Sequence, residues 1–204
     1  MSEGHKPRVA ILVGNKGRGT NMATLVAACH SGYVPAVPAL VISPRPGTKA
    51  VVRAKSFQQD AASRLRCAIV EHPKSEDYGT RLLNVLQEAE IDYICLAGFM
   101  SLLPEEVVRK YEGRILNIHP ALLPKYGGKG MYGSRVHEAV LAAGDTESGC
   151  SVHLVNEAYD EGETVLQRRC PVLPDDTPET LADRVLDLEH EAYPEALKMV
   201  VERR

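Results

Sequence analysis

Two polar side chains sit two residues apart in Leu116-Asn-Ile-His-Pro120, an apolar run closed by a proline. Strand alternation puts Asn117 and His119 on one side. A His beside an Asn at a strand end offers a proton-transfer group and a neutral donor for a developing oxyanion. The bland alternative is that both only satisfy backbone groups where the strand stops. Asp160, in the turn sequence Tyr159-Asp-Glu-Gly162, is by itself turn chemistry. Folded back towards His119, it would raise the imidazole pKa towards neutrality. Ser151 and His153 alternate along the preceding β segment and are placed to point into the same cleft. The glycine-rich turn Gly14-Asn-Lys-Gly17-Arg-Gly19-Thr-Asn21 precedes an apolar-periodic stretch. Its backbone N–H groups and the helix dipole suit one phosphate, held by Gly19, Thr20 and Asn21 with Arg18 adding charge. It is neither a dinucleotide fingerprint, because Met22 replaces the third glycine, nor a Walker A loop, because Thr20 stands where Lys is required. Without a ligand, it reads as a tight turn with Thr20 or Asn21 capping the helix.

The elements that must hold these groups follow from periodicity. Val9–Val13 is a buried strand, and Met22, Leu25, Val26 and Cys29 mark one face of a helix that Gly32 stops. Strands are expected at Val37–Ile42, Cys67–Val70, Asp92–Ala97 and Arg114–Ile118, with helices over Ala50–Ala62 and Tyr78–Ala89 and from Pro104 to Gly113. Val136, Ala139, Val140 and Ala143 mark a further short helix after a glycine-rich loop over Lys125–Ser134. Gly149–Asn156 and Glu163–Val172 read as an antiparallel hairpin. Thr177 and Pro178 open a final helix with an apolar face of Leu181, Val185, Leu188 and Ala192, which Pro194 kinks or ends. Glu189 and His190 read as a solvated pair on it. Strands alternating with helices predict an α/β fold with a doubly wound, mainly parallel, Rossmann-like sheet, followed by the hairpin and final helix.

Composition narrows the partners. The 204 residues, 44% hydrophobic and 25% charged, suffice for one domain with a real core, with residues 1–7 a flexible start. A net charge of −3 excludes a global field for nucleic acid or anionic lipid, and no Trp with two Phe argues against base stacking. Five scattered cysteines encode neither a disulfide framework nor a zinc site and fit a reducing compartment. No apolar run is long enough to span a membrane. The expectation is a cytoplasmic monomer or homodimer acting on small molecules, with no nucleic-acid or membrane partner.

Taken in order, Gly17-Arg-Gly-Thr-Asn21, Cys95-Leu-Ala-Gly-Phe-Met100, Leu116-Asn-Ile-His-Pro-Ala-Leu-Leu-Pro124, Ser151-Val-His153 and Asp160-Glu-Gly162 resemble the folate-dependent formyltransferases, specifically the branch acting on glycinamide ribonucleotide in purine biosynthesis. The resemblance covers nearly the whole chain. It implies a single formyltransferase domain over 1–204, with the nucleotide side in its N-terminal half and the folate side in its C-terminal half. It also implies 10-formyltetrahydrofolate as co-substrate and no metal. Asn117, His119 and Asp160 would form the catalytic set, with Asn117 and protonated His119 donating to the oxyanion. Ser151 would hold a water or orient the Asp carboxylate, and His153 would support it. Gly17, Arg18, Gly19, Thr20 and Asn21 would hold the ribonucleotide phosphate side and Glu189 its ribose hydroxyls. Met100, Ser101, Leu102 and Leu103, with Asn117, would cradle the pterin. Asn156, Glu157, Ala158, Tyr159 and Asp160 would form the opposite wall.

Several positions depart from that pattern. Ser101 stands where an Arg is common, and Ser75, beside Lys74, where some members meet the folate glutamate tail with Arg. Leu186 replaces a polar residue one turn before Glu189. The loop Gly127–Gly133 is longer than in many members, and with Lys125 and Lys129 it is expected to act as a mobile lid near the phosphate. Other formyltetrahydrofolate users are the rivals. A hydrolase adds an N-terminal domain, a methionyl-tRNA formyltransferase adds a C-terminal one, and an amino-sugar formyltransferase has no need of this phosphate turn. A Rossmann reductase is disfavoured by the missing third glycine and by the lack of an acidic residue ending the second strand.

Overall fold

The computed structural model of the chain describes residues 6–59, 63–71, 76–158 and 160–203. The elements run β1 Arg8–Val13, α1 Thr20–His30, β2 Val37–Ser43, α2 Lys49–Phe57, β3 Arg66–Ile69, α3 Tyr78–Glu88, β4 Tyr93–Ala97, α4 Glu105–Lys110, β5 Ile115–His119, α5 Ser134–Ala143, β6 Glu147–Leu154, β7 Thr164–Pro171 and α6 Pro178–Glu202. Seven strands form one sheet in the order β3-β2-β1-β4-β5-β6-β7, parallel from β3 to β5 and antiparallel at β6 and β7. Apolar side chains pack both faces. One core layer joins α1 and α6 to the sheet through Met22, Leu25, Val185 and Leu197. The other packs α3 and α4 on it through Leu82, Leu86 and Val107.

The order reverses between β1 and β4, and the crevice beyond the carboxyl ends of such strands is where open α/β sheets take ligands. The chain is pinched there: a Cβ on Gly14, just past β1, would lie 2.0 Å from the carbonyl oxygen of Gly98, just past β4. Only glycine allows that approach.

The boundaries differ from the expectations in instructive ways. Helix α2 ends at Phe57 rather than Ala62, the last residues of that range lying outside those described. The final helix does not stop at Pro194 but continues to Glu202. The proline removes one ladder donor, yet Tyr193, Ala196, Leu197, Val200 and Val201 are buried around it and hold the turn in place. The buried stripe of α6 runs Leu181, Val185, Glu189, Ala192, with Leu188 only partly buried. Glu189 is therefore not a solvated residue but a carboxyl set in a core stripe.

Candidate active site

Strand β5 presents Asn117 and His119, and β6 docks antiparallel beside it so that Asn117 faces His153 and His119 faces Ser151. The β6–β7 connection then folds back over this edge. Asp160, in left-handed backbone at φ 57°, sends its carboxylate between the two histidines, 3.6 Å from His119 Nδ1 and 3.5 Å from His153 Nε2. The turn over Gly162 is tight: a Cβ there would lie 1.7 Å from the Leu154 carbonyl oxygen.

Hydrogen bonds fix the protons. His153 Nδ1 lies 2.9 Å from the Leu154 carbonyl, which can only accept, so the neutral ring carries its proton there. Nε2 is left to accept from Asn117 Nδ2 at 3.1 Å. The second Asn117 N–H points at Asp160 Oδ1 over a long 3.4 Å. His119 Nε2 donates to the Tyr126 carbonyl at 2.7 Å, so in the neutral ring it is the Nδ1 lone pair that faces Asp160. Gly128 N–H donates to the other Asp160 oxygen at 3.0 Å, tying the 125–134 loop to the carboxylate.

The electrostatics follow from packing. Burial lowers the His119 pKa below its usual value, outweighing the opposing pull of Asp160 and of the Tyr126 hydrogen bond. The expected upward shift thus fails: the carboxylate acts in the predicted direction but burial wins. Burial also opposes charge on Asp160. The imidazoles of His153 and His119 and the Gly128 N–H together prevail and hold its carboxyl below the usual range. At neutral pH the pair is a neutral imidazole beside a carboxylate. Nor does His119 donate directly into the cleft, since its Nε2 proton is spent on Tyr126.

Ser151 does a different job from the one expected. It donates to the Ala121 carbonyl at 2.6 Å and accepts from Leu123 N–H at 3.0 Å and from the Gln167 amide at 2.8 Å. Those bonds use its donor on the segment after β5, so Ser151 clasps that turn instead of serving Asp160.

A cleft of about 620 Å³ opens over this cluster, and its lining brings the predicted residues together selectively. Gly17, Asn21, Met100, Ser101, Leu102, Leu103, Asn117, His153, Asn156, Ala158, Asp160 and Glu189 all face it. Glu157 instead faces solvent and pairs with Arg109 at 3.4 Å. Tyr159, Lys74 and Ser75 lie outside the described residues. The turn at 17–21 ends in Gly19 as the N-cap of α1, with no side-chain cap and no acidic residue in the first turn. Neither Thr20 nor Asn21 caps the helix. Asn21 Nδ2 donates to Glu189 Oε2 at 2.7 Å, while burial pushes the Glu189 carboxyl up to about 7. A Cβ on Gly19 would lie 2.7 Å from Ala50 Cα, so α2 closes the turn from behind. Arg18 reaches Asp183 at 3.8 Å on the surface. Lys129, Met131 and Tyr132 wall the cleft, but Lys125 does not, being paired with Asp145 at 3.0 Å on the far side of the loop. Tyr126 and Gly128 act through backbone atoms and carry no sequence signal. Among the described residues no group of three or more His, Cys, Asp or Glu is placed to hold a metal ion.

The chain belongs to the formyl transferase family, whose model matches residues 7–197. It is 39% identical, over 97% of its length and 88% of the relative's, to phosphoribosylglycinamide formyltransferase of Haemophilus influenzae. It is also 39% identical, over 98% of its length, to the trifunctional purine biosynthetic protein adenosine-3 of Drosophila melanogaster, of which it spans 14%. Among solved structures, glycinamide ribonucleotide transformylase 1 from Symbiobacterium toebii matches with a TM-score of 0.86 and 34% identity, covering 99% of this chain and 91% of the other. No helix among the described residues is long and apolar enough to cross a membrane.

Proposed function

We propose that the chain transfers the formyl group of 10-formyltetrahydrofolate to the amine of glycinamide ribonucleotide in purine biosynthesis, releasing tetrahydrofolate. The observation that carries this is the cluster of Asn117, His153 and Asp160 at the floor of a cleft whose two ends differ in chemistry, with His119 behind Asp160. The free backbone N–H groups at the start of α1 suit the 5′-phosphate, and Glu189 beside them suits the ribose hydroxyls. Met100, Leu102 and Leu103 offer an apolar bed for the pterin, with Asn156 and Ala158 opposite.

The amine attacks the formyl carbon, forming the new C–N bond and an oxyanion. Collapse breaks the bond to N10, and one proton moves overall from the amine to N10. Asn117 turns to the oxyanion the N–H that is only weakly held by Asp160, while its bond to His153 keeps the amide oriented. Asp160 reaches the cleft and His119 stands behind it with a free Nδ1 lone pair. The pair takes the amine proton and returns it to the leaving nitrogen. The protein works as a cytoplasmic enzyme on small molecules, as a monomer or homodimer. Folate release followed by absorbance tests the proposal: turnover must require glycinamide ribonucleotide. Turnover without it would indicate a hydrolase, and none with it would exclude the transferase.

A further inference from the structure

A small cavity of about 300 Å³ adjoins the cleft on the other side of Glu189, which lines both. Arg18, Ser134, His137, Glu179 and Leu186 complete its walls. His137, on α5, is 4% exposed, yet its Nδ1 is a buried atom with no hydrogen-bond partner. Buried polar atoms are nearly always paired, and leaving one unpaired costs about 1–3 kcal/mol. His153, equally buried, has both ring nitrogens hydrogen-bonded to protein atoms, and the free Nδ1 of buried His119 faces the Asp160 carboxylate, its partner in the proton path. Asn21, the hydrogen-bond partner of Glu189, likewise has an unpaired buried Oδ1. Unmet hydrogen-bonding capacity is therefore found on two residues that approach Glu189 from different elements, as expected of a site that a polar ligand completes.

We propose that His137 is a ribose-binding residue, completing with Glu189 and Asn21 the pocket that holds the sugar hydroxyls of the ribonucleotide. This rests on the substrate assignment above. Burial, with His119 nearby, lowers the His137 pKa and favours the neutral imidazole, in which one ring nitrogen donates and the other accepts, and either can pair with a hydroxyl. A fixed cation there would instead favour the phosphate, which has its own place at the start of α1. Leu186, on the pocket wall, offers no polar group, so His137 supplies what that side chain cannot.

The test compares glycinamide ribonucleotide with its 2′-deoxy and 3′-deoxy analogues in the wild type, His137→Phe, His137→Asn and His137→Gln. The Asn amide nitrogen mimics Nδ1 and the Gln amide mimics Nε2. The wild type should penalise loss of one hydroxyl about tenfold in kcat/KM. In His137→Phe the ribonucleotide KM rises about tenfold, the penalty at that hydroxyl vanishes and the formylfolate KM stays put. One of the two amide variants restores the discrimination. If His137→Phe folds poorly, the Asn and Gln variants decide the matter alone. Full wild-type discrimination in His137→Phe or in both amide variants, or its loss in both amide variants, overturns the proposal. A wild type with no ribonucleotide-dependent turnover overturns the substrate assignment instead.

Discussion

Replacing Glu189 by Gln should stabilise the protein at alkaline pH, because the fold holds this carboxyl where its charge is costly. Burial raises its pKa from 4.5 to about 7, against a smaller opposing contribution from the Asn21 hydrogen bond. In the unfolded chain the group loses its proton near pH 4.5, whereas the folded chain keeps it to about 7. Folding therefore binds a proton in that window. The stability associated with this group is fully present below pH 4.5 and falls as pH rises to about 7. At 1.36 kcal/mol per unit the loss is about 3 kcal/mol. Gln is neutral, nearly isosteric, and keeps an oxygen to accept from Asn21. Urea unfolding of both proteins at intervals from pH 4.5 to 8.5 isolates the effect, since every other titration cancels in the difference. The two should match at the acid end and diverge by about 3 kcal/mol at the alkaline end, roughly 6–12 °C in Tm for a chain of this size. A flat difference across that range would mean Glu189 is not charged at a cost, and the tight packing of α6 on α1 around it would be refuted. The stabilised variant should nonetheless bind the ribonucleotide worse, a trade of stability for function.

His153→Leu should lower kcat about 10- to 100-fold by releasing the Asn117 amide, with little change in the formylfolate KM; His153→Gln, whose oxygen can accept from Asn117, should recover most of it in steady-state kinetics. The rate should fall in acid as His119 protonates, with an apparent pKa below 6.5. In Asp160→Asn the residual activity should show that limb moved to still lower pH, since the carboxylate is what raises the His119 value. An unmoved limb would mean the pair is uncoupled. Ser151→Ala should cost about 1–3 kcal/mol in denaturant unfolding, because it strands the Leu123 N–H and one N–H of the Gln167 amide, whose other N–H stays on the Leu123 carbonyl. Its kcat should stay within about threefold of wild type, whereas a serine in the proton path would lose rate before stability.

The parallel strands β1, β2 and β4 were legible as continuous apolar runs and β3 from the run Cys67–Val70. In β5 the apolar residues Ile115, Leu116 and Ile118 flank Asn117, and alternation then places Asn117 and His119 on one side. The docking of β6 beside β5 was not legible, since a hairpin's own pattern does not say which edge it joins. That docking, not proximity in sequence, brings His153 to Asn117 and commits Ser151 to Ala121, Leu123 and Gln167. The net shift on His119 was misjudged for a related reason: a carboxylate's pull can be anticipated from residue types, but depth of burial is a property of the packed sheet. The burial of Glu189, a residue the resemblance already named, could have been read from the periodicity, because Leu181, Val185 and Ala192 place it in the buried stripe. His137 gave a similar sign, lying beside Val136 and one turn before Val140 on the inner side of α5.

Formyl transfer itself is tested most directly by following a ¹³C-labelled formyl group through one turnover. Enzyme in excess over 10-[¹³C]formyltetrahydrofolate and glycinamide ribonucleotide should pass the label to the ribonucleotide nitrogen, matched one to one by tetrahydrofolate. Asp160→Asn should slow that step by orders of magnitude without changing its product. Label recovered as formate, or transfer at an undiminished rate in Asp160→Asn, would contradict the account.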